Sequence, residues 1–342
     1  MQTLFIDRKN TEIEVDGGRL IVRIAGVHPN FSVPVNVLEF LVISAAVSFS
    51  SNLITKLNMA GITTVFINPR QIDTSTMTHG MLHNNAERRL LQYKAVSSAE
   101  HRQLYSRELV SGKLRAQRAM LMKALRKRPD CRYKLTTGIL RLSAMITRLE
   151  EMDNVDSIRG VEGAAGAAYF EAYQAIFPPS LNFTGRNRRP PLDPVNVILS
   201  LSFTLLHAEA VRVLFSTGFD PLLGIYHAPT FGRESLACDM VESFRPLAEN
   251  WVWRLFAEET LRADHFSSGQ GVNEMPCMLG KAGRAIYYAS YESMAVVWRR
   301  LMRRAARAWL NRVQHDFGEN SNHHLLENFN GRADNTIDFT ED

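Results

Sequence analysis

The sequence predicts an α+β protein: a β-rich N-terminal domain over residues 1–75, a larger all-α domain over residues 76–320, and a flexible polar tail over residues 321–342. Three observations carry this. From Leu4 to Ile67 apolar residues alternate with polar ones, the period of half-buried strands. Between Asn68 and Gly80 that pattern gives way to Pro, Asp, Ser and Thr, the composition of a linker. Beyond it, apolar residues recur at helical spacing.

Taken in order, Ile13 and Val15, the turn Asp16-Gly17-Gly18, and Leu20, Val22 and Ile24 predict a β-hairpin. VPVNVLEFLVI reads as one buried strand. Ser50 or Ser51 caps a short helix that carries Leu53, Ile54 and Leu57, and GITTVFI returns as a strand after Gly61. The helical part starts with NNAERRLLQYKAV and continues through KLRAQRAMLMKALRKR, which must end before Pro129. The apolar stretch from Val195 to Phe215 contains His207, Glu209 and Arg212, so it predicts a buried helix and not a membrane span. The Asn- and acid-rich residues after Phe317 predict no fixed structure.

A chain of 342 residues, 45% hydrophobic and 22% charged, has the composition of a folded globular protein and lies outside the disordered and collagen-like classes. Its net charge of +5 comes mostly from arginine, whose fork matches phosphate oxygens. That favours nucleic acid as a partner, although a small positive excess is also ordinary. The three cysteines, Cys131, Cys238 and Cys277, are scattered, so neither a disulfide framework nor a zinc knuckle is predicted, and a reducing cytoplasm fits. The N-terminus carries early charges and has no signal-peptide pattern.

Three settings hold residues able to do chemistry. Glu162 lies in RGVEGAAGAAYF, where small residues allow close approach; the plainer reading makes it a first-turn acid favoured by the helix dipole. His227 lies in DPLLGIYHAPTFGR, between turn-forming residues of a helix-to-helix connection where functional groups are often presented. His207, on an apolar helix, reads as structural. In SLACDMVESFRP, Asp239 and Glu242 are three residues apart and share a helix face; they repel unless Arg245 or a metal neutralises them. Carboxylates with one imidazole suit Mg²⁺ or Mn²⁺. The basic runs KALRKR and WRRLMRRAARAWLNR are amphipathic surfaces, of which one, with Arg303 and Arg304, is a candidate DNA track.

The stretches IRGVEGAAGAAYF, NFTGRNRRPPLDPVNVILSLSFTLLHAEAVRVLFSTGFDPLLGIYHAPTFGRESLACDMVESFRP and CMLGKAGRAIYYASYE, in that order, resemble the integrase/endonuclease of CRISPR spacer acquisition, the Cas-one family. The resemblance implies an N-terminal β-sandwich-like domain before a helical catalytic domain. It implies that Glu162, His227 and Glu242 bind Mg²⁺ or Mn²⁺, with Asp239 as a catalytic neighbour that acts through water or orients the site. Tyr226 and Cys238 depart from the family pattern without removing a ligand. It further implies a homodimer that assembles with a small ferredoxin-like Cas partner and joins captured double-stranded DNA to the CRISPR repeat. Arg186, Arg188 and Arg189 of GRNRRPP, with Arg245, are the candidate DNA-backbone contacts, against the plainer reading of GRNRRPP as a solvated turn. A general metal-dependent nuclease of branched DNA and a non-catalytic DNA-binding scaffold are the competing functions.

Overall fold

The computed structural model describes residues 2–68, 75–80, 83, 85–187, 190–267 and 276–318. The candidate contacts Arg188 and Arg189, and the tail over 321–342, lie outside the described residues.

The N-terminal part is two four-stranded sheets packed face to face. Strands β2 (Thr11–Asp16) and β3 (Arg19–Ile24) form the predicted hairpin, with Asp16 paired to Arg19. Gly17 and Gly18 have φ of 54° and 72°, the left-handed pair that a tight two-residue hairpin loop requires. This sheet has the order β4-β3-β2-β6, with β4 Phe31–Pro34 and β6 Val47–Phe49 at its edges. The second sheet runs β1 (Gln2–Ile6), β5 (Leu38–Ile43), β7 (Thr63–Phe66), β8 (Thr76–Thr78), with the first three parallel. Strand β8 comes from within the stretch read as a linker and pairs antiparallel with β7.

One strand expectation needs correction. VPVNVLEFLVI is two strands in different sheets, β4 and β5, separated by a 3₁₀ turn at Val35–Val37. Pro34 has no N–H with which to continue pairing, and the chain turns there into the other sheet. Helix α1 (Ser51–Met59) starts after Ser50 as expected and buries Leu53 and Leu57 between the sheets.

Strand β5 is buried along its whole length because it serves two cores. Leu41 and Ile43 point into the sandwich, whereas Phe40 and Val42 join the core of the helical part. A register shift between β1 and β5 opposite Glu39 puts Glu39 on the helix side next to Phe40. The two parts therefore share one continuous hydrophobic core.

The helices are α2 (Ala86–Ser97), α3 (Ala99–Lys127), α4 (Arg132–Leu149), α5 (Val155–Tyr173), α6 (Pro194–Thr217), α7 (Ser235–Ala257) and α8 (Lys281–Gly318), with a short β9–β10 ribbon (Phe266–Ser267, Met278–Leu279) before α8. Asn85, Ser98, Asn154 and Asp193 cap α2, α3, α5 and α6 through their side chains. Helix α6 is long and apolar enough to cross a membrane, but 78% of its apolar window is buried inside the protein, so it is the central core helix.

The seam between sandwich and helices is polar at its centre. Arg299 of α8, 3% exposed, donates to both Glu209 oxygens of α6 at 2.8 and 2.9 Å and to Glu292 at 3.1 Å. Arg303 donates to Glu39 of β5 at 2.7 Å, and the Thr3 N–H of β1 donates to Glu292 at 3.1 Å. Arg303 is thus engaged with the sandwich, while 38% of its side chain stays exposed. Its fork has found a buried acid that sequence spacing could not reveal. Arg304 is exposed.

His207 has the structural role expected of it. It projects from α6 to Glu234, 3.2 Å away. Burial pushes its pKa down, but Cys238 and Glu234 overcome this and raise it to about 9. Because the folded value lies above the ordinary 6.5, the stabilisation is fully present below pH 6.5 and is lost as pH rises through 9. Urea midpoints measured at pH 6.5 and pH 9 should fall in the native protein and change less in His207→Gln; equal slopes would remove His207 as the cause.

Candidate functional site

Glu162 lies more than a turn inside α5, after the N-cap Asn154 and the first-turn acid Asp156, so the reading of Glu162 as a dipole-favoured first-turn acid fails. Three alanines of α5, Ala165, Ala168 and Ala172, are buried, whereas Ala164 and Ala167 are exposed. A Cβ placed on Gly160, Gly163 or Gly166 would meet nothing within 4 Å, so the glycines leave open space beside Glu162. Close helix packing is supplied elsewhere: a Cβ on Gly138 of α4 would come within 2.6 Å of the Ala172 Cβ.

His227 is carried by the connection between α6 and α7, as expected. Gly218, at φ 94°, ends α6 in the left-handed conformation. Gln92 of α2 then fastens the loop, donating to the Asp220 and Leu223 carbonyls at 2.8 and 2.9 Å and accepting from the Asp220 N–H at 2.8 Å. Gly224 tolerates no side chain, since a Cβ there would lie 2.4 Å from the His227 carbonyl oxygen.

Asp239 and Glu242 leave the same side of α7 but do different work. Asp239, 2% exposed, accepts from the backbone N–H groups of Ile225, Tyr226 and His227 at 2.7, 3.0 and 2.9 Å. Its Oδ1 also lies 2.7 Å from His227 Nδ1. A carboxylate can only accept, so Nδ1 carries a proton, and the ring's orientation is set through that nitrogen. Asp239 is therefore the residue that folds the loop and sets the imidazole. Arg159 of α5 donates to the Tyr226 carbonyl at 2.8 Å and holds the same loop from its other side.

Glu242 points to a different partner. Its Oε2 accepts from Lys113 Nζ of α3 at 2.6 Å, and its Oε1 lies 2.9 Å from Arg245 Nε. Glu162 accepts from the same Lys113 Nζ. Two carboxylates from two helices thus converge on one ammonium of a third. Burial pushes the Glu242 pKa up, but Arg245 and Lys113 outweigh it and hold it at about 2. Arg245 does neutralise Glu242, as its spacing suggested, while its guanidinium lies over the Phe203 ring at 4.4 Å. Arg186 lies over that ring at 5.7 Å and donates to Asn196 and Ser200 at 2.7 and 3.1 Å, fixing the preceding loop on α6.

Lys113 was not picked out from the sequence, although a signal existed. It occupies the buried face of α3 among Val110, Leu114, Gln117 and Leu121, where a lysine needs a carboxylate partner. In the sequence the run starting at Lys113 reads only as part of a helix that ends before Pro129.

Among the described residues no three His, Cys, Asp or Glu side chains already converge as a metal site. The donor set still fits a divalent cation: Glu162 and Glu242 hold a positive charge between them, and they are hard oxygen donors of the kind Mg²⁺ and Mn²⁺ take. His227 is carried beside them on the loop that Asp239 of α7 fastens, three residues before Glu242 on the same helix.

Fold and site together define a β-sandwich joined to a helical bundle, with an acid pair on one ammonium and an imidazole held by Asp239 on the loop before α7. The family description "CRISPR associated protein Cas1" matches residues 4–293, and the chain belongs to that family. It is 36% identical over 315 residues, 92% of this chain and 97% of the relative, to CRISPR-associated endonuclease Cas1 1 of Thermodesulfovibrio yellowstonii. It is 32% identical over 250 residues, 72% of each chain, to CRISPR-associated endonuclease Cas1 1 of Chlorobaculum tepidum. A Cas1 protein from Thermotoga maritima superposes with a TM-score of 0.79 at 21% identity, over 92% of this chain and 97% of that one. A casposase bound to integration product gives 0.77 at 18% identity, over 91% of each. These two structures bear out the fold expected from the sequence.

Proposed function

We propose that this protein is a divalent-metal-dependent DNA integrase and endonuclease of CRISPR adaptation. The observation that carries the reading is the convergence of Glu162 and Glu242 on one cationic point beside an imidazole oriented by Asp239. Family membership supports it, and so do relatives named as endonucleases. Among structures of like fold are the casposase with its integration product and a Cas6-RT-Cas1–Cas2 complex, which gives a TM-score of 0.77 at 21% identity over 92% of this chain and 35% of that one.

In this reading Glu162, Glu242 and His227 hold Mg²⁺ or Mn²⁺, which supplies stabilisation of charge on the phosphoryl oxygens and acidifies the attacking hydroxyl. The protein's own groups arrange the rest. Asp239 fixes the His227 ring through Nδ1 and leaves Nε2 as the nitrogen available to a metal. The open face at Gly163 and Gly166 lets a DNA backbone come close to Glu162. Arg245 and Arg186, both against the ring of Phe203, position phosphates without reading sequence; Arg188 and Arg189 act with them. A 3′-hydroxyl of captured double-stranded DNA attacks a phosphodiester of the CRISPR repeat: one P–O bond forms, one breaks, and the leaving oxygen takes the proton. With water as nucleophile the same site cuts. The partners are the two DNAs, a second copy of this chain and the small ferredoxin-like Cas protein.

The test is strand joining of a short duplex into a supercoiled plasmid carrying the repeat, with the small Cas partner, in Mn²⁺ or EDTA. Metal-dependent, repeat-dependent joining is expected. Cutting without need of the repeat would favour a repair nuclease, and binding without chemistry a scaffold. Asp239→Asn removes an acceptor that sets the imidazole and is expected to lower joining about 10–100-fold, the usual effect of losing such a partner. A change of less than twofold would leave Asp239 only a loop anchor.

A further inference from the structure

The metal reading leaves Lys113 unexplained, because its ammonium sits where the acids converge. Lys113 Nζ is bonded to Glu162 and, at 2.6 Å, to Glu242, while its side chain is only 8% exposed. Arg245 cannot take over this role, since it reaches only Oε1 of Glu242 and lies against Phe203. With both cations present the acid pair is balanced, two negative charges against two positive ones. Without Lys113 the pair carries a net negative charge inside the protein, and α3, α5 and α7 lose the ion pairs that join them.

We propose that Lys113 is a built-in counter-cation that holds the acid pair together in the metal-free protein and must leave it when a divalent metal binds, so that it sets the metal affinity of the site. The proposal rests on the metal reading given above. A divalent ion taken up by the oxygens that face Lys113 would stand a few ångströms from the ammonium, where two positive charges repel strongly because water is scarce. The way out lies on the Glu162 side, since Glu162 is 25% exposed and Glu242 10%, and α5 presents open space at Gly163 and Gly166. The lysine stem is flexible enough to swing there, unlike a planar guanidinium pinned over a ring. The ammonium then stands beside the metal on the side where a DNA phosphate has room to approach, which makes Lys113 a positioning residue and not a metal ligand.

The experiment is Mn²⁺ titration by calorimetry and by electron paramagnetic resonance, together with melting in EDTA, on the full chain. Lys113→Met and Lys113→Gln should bind Mn²⁺ about tenfold more tightly than the native protein, the effect expected from removing one close repulsive charge. Both should melt lower in EDTA and recover at saturating Mn²⁺. Lys113→Arg, which keeps a cation, should not bind more tightly and should melt near the native protein in EDTA, so it separates charge from packing. Unchanged or weaker Mn²⁺ binding in folded Lys113→Met and Lys113→Gln overturns the proposal while leaving the metal reading in place. Absence of Mn²⁺ binding by the native protein, matched by Glu162→Gln, overturns the metal reading and this proposal with it.

Discussion

Glu162→Gln should reduce Mn²⁺-dependent strand joining about a thousandfold, since a ligand that secures several kcal/mol of transition-state charge stabilisation is worth roughly that much in rate. The substitution keeps size and hydrogen-bonding capacity but removes the charge. It should leave the fold intact, because Glu162 is 25% exposed and Lys113 retains its bond to Glu242. The measurement is joining-product yield over time beside a melting curve and a Mn²⁺ titration. A variant that melts like the native protein, binds Mn²⁺ weakly and does not join strands is the expected result. Joining within fivefold of native at saturating Mn²⁺ would remove Glu162 from the metal site and leave Glu242 and His227 to be reassigned.

The largest expected effect on stability lies far from that site. Arg299→Ala should cost about 3–5 kcal/mol, because it leaves acids buried without their cation. Glu209 is the most exposed to that loss. Burial lifts its pKa to about 7 even with Arg299 beside it, and Glu39 adds further like charge. Arg303 and Arg212 still reach Glu39, at 2.7 and 3.6 Å, but neither is paired with Glu209 or Glu292. Since the network ties β1, β5, α6 and α8 together, the damage should appear as weakened docking of sandwich on helices. Urea unfolding followed by far-ultraviolet and near-ultraviolet signals measures it: a lower midpoint, with the tryptophan environment of α7 and α8 lost early, is expected. A shift below 1 kcal/mol would mean that water reaches and satisfies the acids once the arginine is gone. Arg299→Met, which fills the volume without the charge, should be as unstable as Arg299→Ala if the unpaired acids dominate, and clearly more stable if lost packing does.

Much of the architecture was legible because it depends on local periodicity. The hairpin around Gly17 and Gly18, the helix after Ser50, the end of α3 before Pro129 and the burial of α6 all follow from spacing, turn chemistry and breakers within a few residues. The split of VPVNVLEFLVI was less visible. An apolar run looks the same whether it lies in one sheet or passes between two, and Pro34 was the only mark of the change. The pairing of Arg303 was hidden for a related reason, since a basic residue at helical spacing looks solvated until the acid that meets it is known.

The candidate site divides along the same line. Glu162, His227, Asp239 and Glu242 stand out in sequence because small residues flank the first, turn residues surround the second and a three-residue spacing joins the other two, while the family resemblance supplied the metal-binding role of Glu162 over its plainer reading. What the sequence by itself determined, then, was which elements form and which chemically able residues they carry, because those depend on neighbours along the chain. Only the tertiary structure decided that Asp239 fastens the loop while Glu242 meets Lys113 of α3, and that Glu39 and Arg299 fasten the sandwich to the helices. Each of these is a charge meeting its partner across a large sequence separation, and burial, which decides whether such a meeting occurs, is a property of the packed core and not of any segment.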